Sequence, residues 1–319
     1  MVSLLRRDWA LFEHPSMDDF RAKDLLTTIL DDGDFVRHSY VPSPRFKSDR
    51  LLRWETLRTE LMHRNRFFPD TELDEGRLGE LLDLLRADAV PTEWFRARIQ
   101  AGDEPFLIDQ MGAPPNRVAS HGRANPPGIP YLYVGSAPET AVAEVRPHTG
   151  EMATVAKFVI DSTALRLVDL REPRRRVSPF ALGDEDKIGS LRSDIAFLER
   201  LGEELTRPVL PQGAAIEYVP SQYLCEFIKK AGWDGVIYRS SVSEGMNLAL
   251  FDPQTADPIS VSGWHVAKVK VEVAPVAVTG GDPAGSLHAG PKGQSVRAKP
   301  SRPMSKFLAG IFGRRPRPE

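Results

Sequence analysis

The chain has a single cysteine, Cys225, among 319 residues, so no intrachain disulfide framework is available and no cysteine-based zinc site can form. Its seven histidines fall at no metal-ligand spacing, and no metal centre is expected. A reducing cytoplasm is the natural compartment. No apolar run approaches the roughly 20 residues that cross a bilayer, and the Met1–Asp8 segment lacks the apolar core of a signal peptide. No membrane span is expected. The Gly-rich fingerprints of Rossmann folds and P-loop nucleotidases are missing, as are internal repeats and any Ser/His/Asp triad signature. A nucleotide handled by this chain would therefore occupy another kind of site.

Charge of one sign is scarce only locally. Residues 282–319 hold eight Lys/Arg against Asp282 and Glu319, so this stretch carries +6 and the remainder −8 of the net −2. The mildly acidic body argues against a general nucleic-acid binder, which would show a basic face. The last 41 residues, 279–319, are Gly/Pro/Ser/Lys/Arg-rich and are expected to form a disordered basic tail. Its apolar patch Ser305-Lys-Phe-Leu-Ala-Gly-Ile-Phe-Gly-Arg-Arg315 could dock transiently on a partner or an anionic surface, but a solvated tail is the simpler reading.

Upstream, residues 1–90 show helical periodicity around Trp9–Phe12, Phe20–Leu30, Leu51–Met62 and Leu78–Leu85, broken at Pro15, Asp31–Asp34 and Pro42–Pro44. This predicts a small all-α domain. From Trp94 to about Val278 the texture turns to short β-type runs between Gly/Pro turns. Strands are expected at Tyr131–Val134, Ala153–Val159, Leu165–Asp169, Gly235–Tyr238, Leu248–Phe251 and Trp264–Val273, and helices at Thr140–Arg146, Ile188–Leu201 and Ser221–Ala231. The expected class is α+β over 93–278.

The densest stretch is 121–146. Its loop Gly122-Arg-Ala-Asn-Pro-Pro-Gly128 holds too many turn formers for a helix or central strand. In Tyr131–Val134 the alternation puts both tyrosines on one face. Ser136 followed by Glu139 reads as a capping box opening a helix to Arg146, with Ala141, Val142 and Val145 as its buried stripe and Glu144 at the stripe's edge.

Three blocks in order, Trp94-Phe-Arg-Ala-Arg98, Gly122-Arg-Ala-Asn…Tyr133…Glu-Thr-Ala-Val-Ala-Glu144-Val-Arg146 and Gly235-Val-Ile-Tyr-Arg-Ser240…Asn247-Leu-Ala-Leu-Phe251, resemble the RES domain, a family named for its Arg, Glu and Ser. The segment Ala214–Glu226 is similar to the helix that precedes the family's Ser strand, and the first 90 residues resemble the HEPN-like helical extension of some members. The resemblance implies a fold like that of ADP-ribosyltransferases and consumption of NAD, by phosphorolysis, hydrolysis or ADP-ribosyl transfer. It implies a growth-inhibitory toxin or defence effector, with a protein antitoxin as one expected partner. Carried onto this chain, its name residues are Arg96 (or Arg123), Glu144 and Ser240, with Arg123 and Tyr133 as further site positions.

These residue types suit cleavage of the nicotinamide–ribose bond. Arginine's planar fork binds phosphate oxygens at two points, which makes Arg96 and Arg123 candidate diphosphate clamps, with Arg98 as a substitute for the first. Tyr133 could stack on nicotinamide or bond the ribose, with Tyr131 packing beneath it. Bond breaking builds positive charge on the ribose, and a fixed carboxylate, Glu144, would stabilise it or orient the acceptor, whether inorganic phosphate, water or a protein side chain. Ser240 could hydrogen-bond phosphate, ribose or acceptor. Asn125 and Asn247 are read as turn residues, His121 as a loop histidine and Cys225 as helix packing. Competing readings are protein ADP-ribosylation, a non-catalytic nucleotide-binding module, and, from Arg58-Thr-Glu-Leu-Met-His63, a HEPN-type ribonuclease.

Overall fold

In the computed structural model, residues 1–275 and 312–314 are described. Ten helices occur among them: α1 (Val2–Trp9), α2 (Asp19–Leu30), α3 (Gly33–Arg37), α4 (Arg50–His63), α5 (Glu75–Asp83), α6 (Pro138–Glu144), α7 (Pro173–Arg176), α8 (Glu185–Thr206), α9 (Ala214–Glu217) and α10 (Val219–Lys230). The strands are β1 (Tyr40–Pro42), β2 (Glu93–Ile99), β3 (Leu132–Gly135), β4 (Met152–Val159), β5 (Leu167–Asp169), β6 (Gly235–Arg239), β7 (Met246–Leu250), β8 (Pro258–His265) and β9 (Phe312–Arg314).

Seven strands make one sheet in the order β5-β6-β7-β3-β2-β4-β8. Every neighbouring pair is antiparallel except β5 and β6. Period-two alternation divides the side chains between two cores. Tyr131, Val236, Tyr238 and Ala249 face α8 and α10, whereas Leu132, Val134, Ile237, Leu248 and Leu250 join Trp94 and Phe158 on the other side. The α+β class and the shared face of the two tyrosines therefore hold.

The long helix α8 is the first core's axis. Asp184 caps it, accepting from the Asp186 and Lys187 amides, and Ile188, Leu191, Ile195, Leu198, Leu201 and Leu205 form its buried stripe. The amino-terminal helices share this core: Trp54, Leu57, Leu61, Leu78, Leu81 and Leu82 lie in one cluster with Ile195, Leu224 and Tyr238. Buried carboxylates tie them down. Asp194 takes Arg50 at 2.8 Å and Arg77 at 3.1 Å, and Glu204 takes Arg58 at 3.0 Å, Arg200 at 2.7 Å and the Trp54 indole at 3.2 Å. After α5, Leu85 and Ala87 exchange backbone hydrogen bonds with Asp169 and Leu167, extending the sheet edge.

Three expectations are corrected. The last domain strand is Pro258–His265, not Trp264–Val273, because pairing with β4 selects the first segment. Ala137, not Ser136, precedes α6 and no side chain caps it. The Ser136 hydroxyl instead accepts from the Met246 amide at 3.1 Å, which leaves Glu139 outside any capping box, while Val145 is exposed. Within the tail expected to be disordered, β9 pairs antiparallel with β1, Arg314 opposite Tyr40. The rest of 276–319, including the remainder of the Ser305–Arg315 patch, lies outside the described residues.

Candidate active site

The sheet is split at its middle. β2 pairs with β4 along seven positions, from Glu93↔Val159 to Ile99↔Ala153, but with β3 only at Phe95↔Gly135. Beyond that rung the strands diverge, and a cavity of about 450 Å³ opens between them, of the size that takes a small-molecule ligand. Arg96, Arg123, Tyr133 and Glu144 all line it, together with His121, Arg146, Tyr218, Tyr238 and Asn247. Helix α6 lies across the split, with Ala141 packed on Ala97 and Val155. Gly135 permits that approach, since a Cβ there would meet the Ala141 nitrogen at 3.0 Å.

The polar loop is rigid because its side chains close on each other. Asn125 Nδ2 donates to the carbonyls of Ser120, Pro126 and Ile129 at 2.9–3.0 Å. Tyr133 donates to Asn125 Oδ1 at 2.7 Å and accepts from the Ala124 and Asn125 amides. A side chain at Gly122 would clash with this tyrosine hydroxyl, 2.7 Å from the site of a Cβ. Burial pushes the phenol's pKa well up, and the hydroxyl is fully committed to the loop. Ribose bonding through it is thus not available in this arrangement, and its ring is the part left to form the cavity wall. From α10, Ser221 Oγ holds the Arg123 carbonyl at 2.6 Å and Gln222 the Gly122 carbonyl at 2.8 Å.

Glu144 ends α6, where its Oε1 accepts from Ser240 Oγ at 2.7 Å and from Asn247 Nδ2 at 2.6 Å. Oε2 takes no hydrogen bond from the described residues. Ser240 Oγ accepts in turn from the Val242 and Ser243 amides at 3.2 and 3.1 Å, so its single proton is directed at the carboxylate. Asn247, read from sequence as a turn residue, is on β7 and is half of that clamp. Its role was missed because nothing local marks it; only the Gly135↔Asn247 and Tyr238↔Asn247 pairings bring it there.

The cations divide differently. Arg96 Nη1 donates to the Tyr133 carbonyl at 3.3 Å, and its enclosed Nε has no partner. Burial, and secondarily Arg98, lower its pKa to about 10, which leaves it charged at neutral pH. Arg123 donates to the Arg207 carbonyl at 2.6 Å and Ser241 Oγ at 3.0 Å, and its guanidinium sits 5.3 Å from the centre of the Tyr218 ring. Arg146 has φ of +51°, uncommon for a residue with a side chain, and one 3.3 Å hydrogen bond to the Val209 carbonyl. None of the three guanidiniums has a carboxylate partner within 4.0 Å among the described residues. The cavity therefore presents three arginines against one carboxylate, itself held by neutral donors.

A family model of the RES domain matches residues 93–268, more than half the chain. The chain belongs to the RES domain family. The RES sheet thus includes β2 to β8; of the name residues, Arg96 and Glu144 line the cavity, while buried Ser240 stands behind the wall and reaches the site through its hydrogen bond to Glu144. A solved structure described as the M. tuberculosis MbcT–MbcA toxin–antitoxin complex is similar at 15% identity, covering 61% of this chain and 96% of that one with a TM-score of 0.35. No curated protein matches.

Other candidates fall outside the cavity. Arg98 donates to the Gln110 carbonyl and stacks on Phe106, which removes it as a substitute for Arg96. Tyr131 is core, 5.0 Å from the Phe251 ring. Cys225 is buried in the helix–sheet core. Arg58 is engaged by buried Glu204, a structural duty that leaves the Arg58/His63 pair without a free arginine. Among the described residues no cluster of His, Cys, Asp or Glu could hold a metal ion, and no helix is long and apolar enough to cross a membrane.

Proposed function

We propose that this protein cleaves the nicotinamide–ribose bond of NAD. One observation carries the reading: a carboxylate fixed by Ser240 and Asn247, both neutral, inside a cavity whose other charged side chains are Arg96, Arg123 and Arg146. A dianionic diphosphate matches the arginines, which bind phosphate through paired N–H groups. The Tyr133 ring offers a face for a base or ribose. As the C1′–N bond breaks, its electron pair leaves with nicotinamide and positive charge grows on the ribose. Glu144, undiminished by any ion pair, stabilises that charge. An acceptor oxygen then bonds C1′ and gives up its proton, to the Glu144 carboxylate or to solvent.

Inorganic phosphate or water is the proposed acceptor. Unchecked turnover would deplete NAD and arrest growth, so a toxin or defence effector restrained by a protein antitoxin is the proposed setting. The test is incubation of the purified full chain with NAD, with and without phosphate, and mass identification of products. Nicotinamide release is expected. Intact NAD under both conditions would overturn the reading, and label from NAD appearing on protein would instead favour ADP-ribosylation.

A further inference from the structure

The outer edge of the sheet carries a feature the cavity does not use. β8 is the outermost strand of the seven-stranded sheet and, among the described residues, pairs only with β4. From Ser260 to Trp264 it has no charged residue, and Val261 and Trp264 are exposed. Edge strands of this kind are ordinarily blunted with charge, proline or a bulge. Here the pairing irregularity and Pro258 protect only its beginning. Directly after it runs Ala267-Lys-Val-Lys-Val-Glu-Val273, which alternates valine with charge as a half-buried strand does. Among the described residues it pairs with no strand. Its one backbone contact is the Val269 amide on Thr149 Oγ1 at 3.2 Å, and Val271 and Val273 are 78% and 90% exposed. Among the described residues, a strand pattern without a sheet stands next to a sheet edge without a strand.

We infer that these two surfaces complete each other between two copies of the chain, residues 260–272 of one copy pairing antiparallel with 272–260 of the other. The two-fold axis passes at Val266, whose inner edge is already held by Glu151 and Gly150. Opposed residues in an antiparallel pair share a face. In this register Val271 faces Val261 of the second copy, Val269 faces Gly263, its amide exchanging Thr149 Oγ1 for the Gly263 carbonyl, and Lys268 lies against the Trp264 indole, a cation–π arrangement. Lys270 and Glu272 face Ser262 and Ser260, so no like charges are opposed. Shifting the axis to Ala267 uses the same length of chain but sets Lys268 against the buried Val266. The 13-residue ladder spans roughly 44 Å at about 3.4 Å per residue and is isologous, closing at two copies.

Sedimentation velocity of the full chain across micromolar concentrations tests this. A dimer is expected, and a monomer at every concentration would overturn it. Val261→Lys and Val271→Glu alter exposed positions and should each weaken the dimer at least tenfold, with unchanged circular dichroism. Combined in one chain they place Lys opposite Glu twice and should restore dimerisation. A dimer indifferent to both single changes, or single changes that break it without rescue by the double variant, would overturn the proposed pairing.

Discussion

Three buried carboxylates of the scaffold and the half-buried carboxylate of the cavity are treated in opposite ways. In the scaffold, Asp169, Asp194 and Glu204 each receive two arginines. In the cavity, Glu144 receives a hydroxyl and an amide, while the three arginines beside it have carbonyls or hydroxyls for partners. Ion pairing satisfies charge internally, at a desolvation cost that the mutual attraction offsets only in part, so that removing one partner is far more costly than the pair is stabilising. Separating the signs leaves both available, as the proposed reaction would require, the negative one for its developing cation and the positive ones for its phosphates. Neutral donors alone do not mark a site, since buried Glu60 of the scaffold is held by the Asp70 and Thr71 amides; what sets Glu144 apart is that its neighbours in the cavity are arginines without a carboxylate partner among the described residues.

The strongest way to break the comparison is Glu144→Gln. The amide keeps the shape and loses the charge, so turnover should fall by about a thousandfold, the scale of removing a preorganised electrostatic group, while NAD binding measured by calorimetry changes by only a few-fold. Next comes Asp169→Asn, expected to cost about 3 kcal/mol by leaving Arg171 and Arg176 facing a neutral group, read as a lower melting temperature. Burial works to raise the Asp169 pKa, but Arg171 and Arg176 overcome it and hold the carboxyl below its ordinary range. A depressed pKa stabilises the fold above the unfolded value, about 4, and that contribution disappears as pH falls through the folded value. The melting difference between wild type and D169N should therefore be full at pH 7 and vanish in strong acid.

Asn247→Ala sharpens the site half of the comparison. It removes one of the two donors on Glu144 Oε1 and should lower kcat by about tenfold to a hundredfold with little change in KM, the signature of an interaction made mainly in the transition state. The smallest effect is expected for Arg146→Ala, whose exposed guanidinium should contribute about 1.4 kcal/mol to ground-state binding, a tenfold rise in KM for NAD at unchanged kcat. An Arg146 variant that loses kcat instead would place it among the groups acting on the reacting bond.

Much of the fold could be read along the chain because local pattern and tertiary demand agreed. The Tyr131/Tyr133 alternation, the long stripe of α8 and the α4 periodicity all survive in the structure. Where they disagreed, the tertiary partner decided. The valines of 269–273 are a stronger strand signal than Ser260-Val-Ser-Gly263, yet β4 takes the latter. Ser136 has the spacing of a cap but is captured by a backbone amide from β7. The site was legible as types: Arg96, Arg123, Tyr133 and Glu144 do converge. Its working parts were not: Asn247 reaches Glu144 across 103 residues and Arg146 reaches Val209 across 63, while the bonds around the Tyr133 hydroxyl, only eight residues from Asn125, depend on how the loop closes on the strand. Nor does any spacing in 1–90 disclose that Arg58 serves a buried glutamate on α8.

The lone Phe95↔Gly135 rung also makes the sheet a hinged pair of leaves. Strands β5, β6, β7 and β3 form one leaf and β2, β4 and β8 the other; on one face the buried core of Trp94 and Phe158 with Leu132, Val134, Ile237 and Leu248 holds them together, and on the cavity side only that rung, α6 and the Arg96 bond to the Tyr133 carbonyl do so among the described residues. Pulled apart, such a structure fails at its seam first. The proposed ligand, gripped by Arg96 on one leaf and Arg123 on the other, would act as a splint across the seam, slowing exchange of the amides that border it and raising the force at which the two leaves separate.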